Sequence, residues 1–514
     1  MVWNYLLHIF LSPTFVLVVL FFILFYVYAT WPYKTFQKLG IPGPPPLPLI
    51  GNLIDYKKGL SNIDLEWMKK YGKYWGVYEG QLPVLIVADT KLIKQINVKE
   101  FPNFANRRLM PGNGPVMKYS LTVLQDAEWK RVRSYMSPFN SAYSLKQLCY
   151  LIEQTSDNLV AAMTRYYDAG QYVDVKEIFG CYTMDVISST GFGTDVNSLS
   201  DPDSIFIKNV KKFYAIGALS PFTLLTFGFP WFAFFLDRRN WFFNIVPPPV
   251  FNFFADAIRR VISIRESNPA ESDKRVDVMQ LLLKSHNTSL DDPEHKGTIK
   301  HGLSYNEILA NGFIFWIGGY DTTATTISFL AYNLALNPDI QERVIAEIDG
   351  IMRGKERMDY DAAHEMKYLK MCVDETLRMY PPSQRFDREA KEDIDLDGVK
   401  NPKGMCVQFS SFAIHYDPDN WPDPEKFDPE RFTPEAKKNR DPYAYVAWGV
   451  GPRSCVMKRL GMLEVKFAIA KILMKYRLRP CEKTQIPIRV KVSNLTQPDH
   501  GMFLKLEART DIAT

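Results

Sequence analysis

The feature that most constrains the fold is a long apolar segment that begins after Ser304. Ser304 and Glu307 fit a capping box, in which the hydroxyl and the carboxylate satisfy backbone amides reciprocally. The helix that this box opens is predicted to end before Pro338, because proline disfavours its continuation. At over thirty residues, the helix would be roughly 45–50 Å long and buried along most of its length. We therefore expect the chain to pack around this helix.

Composition excludes several classes of protein. The 514 residues are 46% hydrophobic and 23% charged, which excludes a disordered chain, a collagen-like fibre and a coiled-coil rod. Six scattered cysteines without a Cys-x-x-Cys pair argue against a disulfide framework or a zinc ribbon. A net charge of +5 is too mild to indicate nucleic acid as a partner. Helical periodicity dominates, with strand-like runs at 84–87 and 405–409, so the fold class is predicted as mainly α with small β-sheets.

The N-terminus is predicted to be a retained membrane anchor. Residues 1–33 carry no charged side chain, and the first basic residues, Lys34 and Lys38, follow the apolar run. The stretch covers the roughly 20 residues that a spanning helix needs, and the positive-inside rule places the rest of the chain in the cytosol. A cleaved signal peptide is the alternative. The chain thus divides into an anchor at 1–33, a basic and proline-rich hinge at 34–48 and one body at 49–514. Within the hinge, the prolines from Pro42 to Pro48 are expected to form a stiff, extended spacer.

A second apolar region lies within the body. Twelve Phe and Trp residues fall between Phe213 and Phe254, interrupted by prolines and by Arg238-Arg239. Two interpretations remain open at this stage: an aromatic-rich part of the core, or a hydrophobic lip that enters the bilayer beside the anchor.

Three motifs are weak individually. Within the long helix, Gly318-Gly319 precedes Asp321 and Thr322, all poor helix formers in mid-helix; they fit either the close approach of a flat ligand or a helix crossing. Glu375 and Arg378 lie one helical turn apart, and Arg431 falls in a charged turn within a proline-rich loop.

The fourth motif is the most informative. Residues 448–455, WGVGPRSC, place Cys455 after a glycine-bearing loop and before a helical stretch. A thiolate at such a position is stabilised by the helix N-terminus and by loop amides, so Cys455 is a candidate metal ligand.

In this order and spacing, the four motifs resemble the cytochrome P450 haem-thiolate monooxygenases. The resemblance extends from the anchor nearly to the C-terminus and implies the P450 fold, with a long central helix over a haem and an N-terminal transmembrane helix. Short runs resemble the microsomal family 3 enzymes of drug and steroid oxidation, with thromboxane synthase a similar neighbour: Ser137-Pro138-Phe139, Met184-Asp185-Val186-Ile187, Gly319-Tyr320 and Asp441-Pro442-Tyr443.

The resemblance implies a role for each matching residue in the haem-thiolate catalytic domain, 49–514. Cys455 would be the axial ligand of the iron of haem b, and Glu375, Arg378 and Arg431 would form a buried structural triad. The haem carboxylates would be held by Arg107, Trp129, Arg133, Arg388 and Arg453. Asp321 and Thr322 would deliver protons during catalysis. The substrate pocket would include Ser120, Ile317, Gly318, Ser383 and Gln384.

Two positions depart from the family pattern. Met457 stands where the family has glycine, and Trp448 stands where it usually has phenylalanine. Both flank the cysteine loop, so both are expected to affect packing around the haem edge and the sulfur.

Three functions follow from the resemblance. The first is a membrane-anchored monooxygenase of the endoplasmic reticulum that inserts one oxygen atom into a lipophilic small molecule (a steroid, fatty acid or xenobiotic). It would draw electrons from NADPH through NADPH-cytochrome P450 reductase, with cytochrome b5 as an optional partner. The alternatives are a haem-thiolate isomerase acting on a peroxide and a non-catalytic haem-binding protein. A basic patch of Lys130, Arg131, Lys458, Arg459 and Lys466 is predicted to dock the reductase.

Overall fold

The long capped helix runs through the middle of the molecule. The structure, a computed structural model, describes residues 12–112, 114–215, 221–238, 246–291, 301–493 and 495–511. In it the predicted helix spans Tyr305–Leu336, and both hydrogen bonds of the capping box of Ser304 and Glu307 are present. Most of this central helix is buried, so the prediction of a buried core helix is confirmed.

The remaining helices surround the central helix. The other α-helices of the described residues are Pro13–Thr30, Thr35–Leu39, Leu60–Tyr71, Thr90–Lys94, Gly114–Met117, Asp126–Met136, Ala142–Asp168, Val175–Phe192, Ile205–Tyr214, Pro221–Gly228, Pro230–Arg238, Pro248–Ser267, Pro269–Ser272, Val278–Lys284, Pro338–Met352, Tyr360–Glu365, Lys367–Met379, Ser411–His415, Pro434–Asn439 and Lys458–Lys475. Short 3-10 helices occur at Trp31–Lys34, Leu53–Lys58, Ser137–Asn140, Thr288–Asp291, Pro429–Phe432, Pro442–Ala444 and Gly451–Arg453, and Gln95–Lys99 is a π-helix.

The strands form small sheets, as predicted. In chain order they are β1 Tyr74–Glu79, β2 Leu82–Val87, β3 Val173–Asp174, β4 Arg385–Glu389, β5 Ile394–Leu396, β6 Val399–Asn401, β7 Cys406–Ser410, β8 Tyr476–Pro480 and β9 Phe503–Ala508. The largest sheet has the order β1-β2-β7-β4, with β2 and β7 parallel and the other pairs antiparallel. A second sheet has the order β3-β9-β8, and β5 pairs with β6. The predicted strands at 84–87 and 405–409 are thereby confirmed as parts of β2 and β7.

Glycines allow the central helix to pack closely against the Val175–Phe192 helix. A Cβ added at Gly319 would lie 2.4 Å from Ile187 Cδ1, and one added at Gly191 would lie 2.4 Å from the Phe315 ring. The two helices can therefore approach closely at these points because glycine has no side chain.

The N-terminal segment is tied to the large sheet. The helical stretch Pro13–Leu39 has an apolar window of mean hydropathy 2.3 that is only 6% buried, so its length and composition suffice to cross a membrane. The predicted hinge at 34–48 contacts the large sheet. Thr35–Leu39 is helical, Phe36 is buried against Gly76 of β1, and the Gly76 amide donates to the Pro42 carbonyl at 2.8 Å. Phe36 and Pro42 of the hinge thus contact β1, and residues 41–46 form no helix.

The aromatic region has a buried part and an exposed part. Phe227 is buried, whereas Trp231 is 83% exposed and Phe232 and Phe235 are also exposed. Tyr28 of the anchor stacks on Phe229 with ring centroids 5.9 Å apart, so the exposed aromatics lie beside the anchor. Trp241, Phe242 and Phe243 lie outside the described residues.

Candidate active site

The cysteine loop is a tight, internally bonded turn. The Cys455 amide donates to the Trp448 carbonyl at 2.8 Å, and the Gly449 amide donates to the Val446 carbonyl at 2.8 Å. Gly449 and Gly451 have φ of +73° and +71°, the left-handed region that favours glycine. A Cβ at Gly451 would also lie 2.1 Å from the Asn97 carbonyl oxygen, so both the backbone angle and the close neighbour require glycine here.

Cys455 differs from the other cysteines. Its side chain is exposed, whereas Cys149, Cys181, Cys372 and Cys406 are buried and Cys481 is half-buried. Desolvation by the surrounding protein nevertheless raises the pKa of the Cys455 thiol, while the Met457 amide and nearby positive charges lower it. Together these observations place the sulfur in a recess of the protein. A positive, partly enclosed recess favours a thiolate once a cation is bound to it.

Four arginines lie around this recess without a carboxylate partner. Among the described residues, none of Arg107, Arg133, Arg388 and Arg453 forms an ion pair with an acid. Burial and the charge of Arg107 lower the pKa of Arg388 to about 9, and the same two causes, with the charge of Arg388, lower that of Arg453 to about 9. The Nε atoms of Arg107 and Arg388 are buried and lack a hydrogen-bond partner among the described residues. Such a cluster is expensive unless an anion joins it.

Arg453 is held differently from the other three. Its Nε donates to the Ala105 carbonyl at 2.8 Å, and its two terminal nitrogens donate to the carbonyls of Leu121 and Leu124. Its guanidinium also lies 4.3 Å above the Trp129 ring. Arg453 therefore fixes the 121–124 segment, and it has fewer donors left for a ligand than Arg388 has.

The central helix holds the other end of the same segment. Asn311 Oδ1 accepts from the Leu121 amide at 2.8 Å, and Asn311 Nδ2 donates to the Tyr119 carbonyl. Residues 119–124 are thus hydrogen-bonded both to the central helix and to the cysteine loop. The central helix also approaches the helix that follows the loop, Lys458–Lys475, because a Cβ at Gly461 of that helix would lie 3.7 Å from Thr323 Oγ1.

The two adjacent glycines of the central helix, Gly318 and Gly319, have different surroundings. Gly319 faces the neighbouring helix, as described above, whereas a Cβ at Gly318 would meet no atom within 4 Å. Thr322, one turn later, donates its hydroxyl to the Gly318 carbonyl at 2.7 Å. The two interpretations of the glycine pair therefore apply to one residue each: Gly319 permits a helix crossing, and Gly318 leaves open space for a ligand.

Asp321 is buried and engaged on both oxygens. Its Oδ1 accepts from Lys176 Nζ at 2.7 Å and its Oδ2 accepts from Gln497 Nε2 at 2.8 Å. The Lys176 side chain is 19% exposed and also donates to Thr325 Oγ1 at 2.8 Å. Lys176 therefore links the buried carboxylate to solvent. Neither Lys176 nor Gln497 was predicted, because they lie 145 and 176 residues away in sequence.

Glu375 and Arg378 form a fully buried ion pair. Arg378 donates to both Glu375 oxygens, at 2.7 and 2.9 Å, and neither side chain is exposed. Arg431 Nε lies 3.4 Å from Glu375 Oε1, an ion pair without hydrogen-bond geometry. Sequence reasoning missed His415, whose ring nitrogens bond the Arg378 carbonyl and the Val446 amide, each at 2.9 Å. The structure thus brings the predicted triad together and adds a link from it to the cysteine loop.

The predicted substrate residues have different environments. Gly318 is exposed, while Ser120 is buried with its hydroxyl 2.9 Å from Thr122 Oγ1. Ile317 is buried, and its carbonyl accepts from the Tyr214 hydroxyl at 2.6 Å. Ser383 is exposed and donates to the Arg385 carbonyl at 2.9 Å. Gln384 is buried, and its Oε1 has no partner among the described residues, so it can accept from a bound molecule.

These observations fit a flat, doubly anionic cofactor that carries a metal. Among the described residues the arginine cluster has no ion-paired acid, the Nε donors of Arg107 and Arg388 lack acceptors, and an accessible cysteine opens into the same recess. Haem supplies two carboxylates and an iron that accepts a thiolate ligand. The residues present therefore fit haem.

Comparison with known proteins gives the class. Residues 41–506 match the family model described as Cytochrome P450, so the chain belongs to the cytochrome P450 family. It is a cytochrome P450 monooxygenase, an oxidoreductase whose family implies a haem cofactor.

The nearer relatives fall within one branch of the family. Cytochrome P450 3A29 of Sus scrofa is 39% identical over 504 residues, covering 97% of each chain. Cytochrome P450 3A5 of Homo sapiens is 39% identical over 499 residues, covering 96% of this chain and 97% of the relative. Cytochrome P450 3A40 of Oryzias latipes is 39% identical over 502 residues, covering 98% of each. The resemblance to family 3 drawn from short runs of residues is confirmed.

Proposed function

We propose that the chain is a membrane-anchored haem-thiolate monooxygenase that oxidises lipophilic small molecules such as steroids, fatty acids or xenobiotics. The observation that carries the proposal is the recess where an accessible Cys455 meets arginines without carboxylate partners. When bound, a haem iron with a thiolate ligand activates dioxygen for insertion of one oxygen atom into substrate.

The chain's own residues would position the cofactor. Cys455 would be the axial ligand, supported by the Met457 amide and by the positive charges of Arg133, Lys458 and Arg107. Arg107, Arg133 and Arg388 would bind the cofactor carboxylates as charge-assisted donors, with Trp129 beside them. Arg453, occupied by three backbone carbonyls, would contribute charge more than hydrogen bonds.

Thr322 and Asp321 of the central helix would transfer protons. The Thr322 hydroxyl rotates between the Gly318 carbonyl and a water molecule in the open space beside that glycine. Asp321 would release Lys176 or Gln497 to pass a proton inward, with Lys176 giving access to solvent. Gln384 Oε1 would orient a polar group of the substrate.

Electrons would come from NADPH through a flavin reductase, with cytochrome b5 optional. Of the predicted basic patch, Lys130, Lys458 and Arg459 are exposed. Two predicted members are wrong. Arg131 is ion-paired with Glu128 and Glu307, and Lys466 is buried with its Nζ donating to the carbonyls of Ala363 and Met366 at 2.6 and 2.9 Å. The docking surface is therefore smaller than the sequence indicated.

The anchor and the exposed aromatics would hold the enzyme on the cytosolic face of the endoplasmic reticulum. Trp231, Phe232 and Phe235 project beside the helix that would span the bilayer. Large aromatic side chains at such a position favour the membrane interface.

The test is the carbon monoxide difference spectrum of the reduced full-length protein. We expect a thiolate-type spectrum in the parent and its loss in Cys455→Ala, with Cys481→Ala as the matched control that retains it. A thiolate-type spectrum in Cys455→Ala would overturn the ligand assignment.

A second measurement separates the two enzymatic alternatives. In a monooxygenase, Thr322→Ala should keep the spectrum but divert NADPH oxidation from product to peroxide. Turnover of a lipid peroxide without reductase, unchanged in Thr322→Ala, would favour the isomerase instead.

A further inference from the structure

His415 connects the buried ion pair of Glu375 and Arg378 to the cysteine loop. It ends the short helix Ser411–His415 and is fully buried. Its ring stacks on Tyr445 with centroids 5.5 Å apart, while its two nitrogens contact backbone groups of different segments. One contact is the Arg378 carbonyl, and the other is the amide of Val446.

The backbone contacts determine the tautomer of His415. The Val446 amide can only donate, so Nε2 must carry the lone pair that accepts at 2.9 Å. Nδ1 must then carry the proton, which it donates to the Arg378 carbonyl at 2.9 Å. Burial and the charge of Arg378 lower the pKa of His415 to about 3, so the ring is neutral across the physiological range. Protonation would remove the acceptor that Val446 needs.

A second bond makes the connection to Arg378 reciprocal. Arg378 Nη1 donates to the His415 backbone carbonyl at 3.0 Å, while the His415 ring donates to the Arg378 carbonyl. The position of the imidazole is therefore fixed by the same side chain that pairs with Glu375. Arg378 is itself held at Glu375 and at the Pro424 carbonyl, 2.7 Å from its Nη2.

Beyond Val446 the bonds continue to the cysteine. The Val446 carbonyl accepts from the Gly449 amide at 2.8 Å, and the Trp448 carbonyl accepts from the Cys455 amide at 2.8 Å. His415 is thus the side chain that supplies the acceptor for the amide at the start of this turn. Without it, a buried amide would lack a partner, and the turn could shift to find water.

We infer that His415 is a positioning residue for the Cys455 thiolate, acting through its acceptor bond to the Val446 amide. The inference rests on the proposed role of Cys455 as the axial ligand. It concerns the lifetime of the thiolate ligation and assigns His415 no contact with substrate or cofactor.

Three substitutions separate the two ring nitrogens. In His415→Gln, an amide oxygen reaches the Nε2 position and keeps an acceptor for Val446. In His415→Asn, the shorter amide reaches the Nδ1 position and keeps only the donor to the Arg378 carbonyl. His415→Phe retains a buried ring and loses both bonds. His415→Asn is smaller than histidine and His415→Phe is larger, so a loss common to both follows the Val446 bond and not the volume of the side chain.

The readout is the rate at which the thiolate-type carbonyl spectrum of the full-length holoenzyme converts to the non-thiolate type. We expect His415→Gln to stay close to the parent and His415→Asn and His415→Phe to convert about tenfold faster, the ratio expected for one orphaned buried amide. The assignment to the Val446 bond is wrong if the thiolate-type spectrum of either His415→Asn or His415→Phe lasts as long as that of the parent. It is also wrong if all three variants lose the spectrum equally fast.

Two controls keep the test independent of folding and of the proposed function. A parent protein without a thiolate-type spectrum would count against the role of Cys455 and not against His415. Where variants fail to retain haem, hydrogen exchange of the Val446 amide in the parent decides. We expect strong protection, and rapid exchange of that amide would overturn the inference.

Discussion

Two groups of arginines, Arg378 and the cluster near Cys455, differ in the source of their negative charge. Arg378 binds Glu375, a carboxylate from its own helix, and every contact of the pair is made within the chain. Burial and the charge of Arg107 lower the pKa of Arg133, Arg388 and Arg453, and none of these four arginines is ion-paired with an acid among the described residues. The first group is complete on folding, and the second is complete only with a bound anion. Incomplete buried charge is therefore a mark of a binding site, whereas the complete pair marks a structural element.

The largest expected effect comes from removing the acid of the complete pair. Glu375→Ala leaves Arg378 buried without its carboxylate, which should cost about 3–5 kcal/mol of unfolding free energy. Thermal unfolding of the full-length protein, or the yield of folded protein, measures the loss. Arg431→Ala is the control, because Arg431 lacks hydrogen-bond geometry to Glu375 and should cost far less. Equal losses in the two variants would show that the network acts as one unit.

A substitution in the second group should have two effects of opposite sign. Arg388 is 1% exposed, so Arg388→Met should stabilise the haem-free protein by about 1–3 kcal/mol. The same change removes a donor to the cofactor and should speed haem loss. Unfolding of the haem-free protein and transfer of haem to an acceptor protein measure the two effects, with exposed Arg353→Met as the control. A stability loss in the haem-free protein would mean that the hydrogen bonds of Arg388 to the Asp387 and Val450 carbonyls outweigh the cost of its unpaired charge.

The third expected effect concerns a buried acid for which the described residues supply no base. Glu464 is buried, its Oε2 lacks a partner among the described residues, and burial raises its pKa to about 8. A raised folded pKa means that the folded state holds the proton more tightly. Stability therefore falls as pH rises between roughly 4.3, the unfolded value, and about 8, by about 1.4 kcal/mol per pH unit.

Glu464→Gln should remove this slope. Melting temperatures between pH 5 and 8 measure it, and exposed Glu482→Gln is the matched control that should leave the slope unchanged. A Glu464→Gln protein that still loses stability with the parental slope would place the titrating group elsewhere. Like the arginines near Cys455, Glu464 has no group of opposite charge beside it among the described residues; its described neighbour is Tyr182.

Local sequence patterns predicted the parts of the fold that depend on neighbouring residues. The capping box of Ser304 and Glu307 and the turn before Cys455 are each set by fewer than ten residues. The partners of Asp321 could not be predicted in this way, since Lys176 and Gln497 reach it from distant segments. The basic patch failed for the same reason. Sequence gives the charge of Lys466, but only packing shows that its ammonium is bound to carbonyls inside the protein.

Asn311 and Arg453 both form hydrogen bonds to residues 119–124, and this shared segment couples the ligands that bind near each of them. A molecule that displaces the central helix at Asn311 shifts a segment whose other end bears on Arg453 and hence on the cysteine loop. Binding at the two places then shares one free energy of coupling, which thermodynamics makes equal in both directions. Any substrate that tightens haem retention through this segment must itself bind more tightly when haem is present, by the same factor.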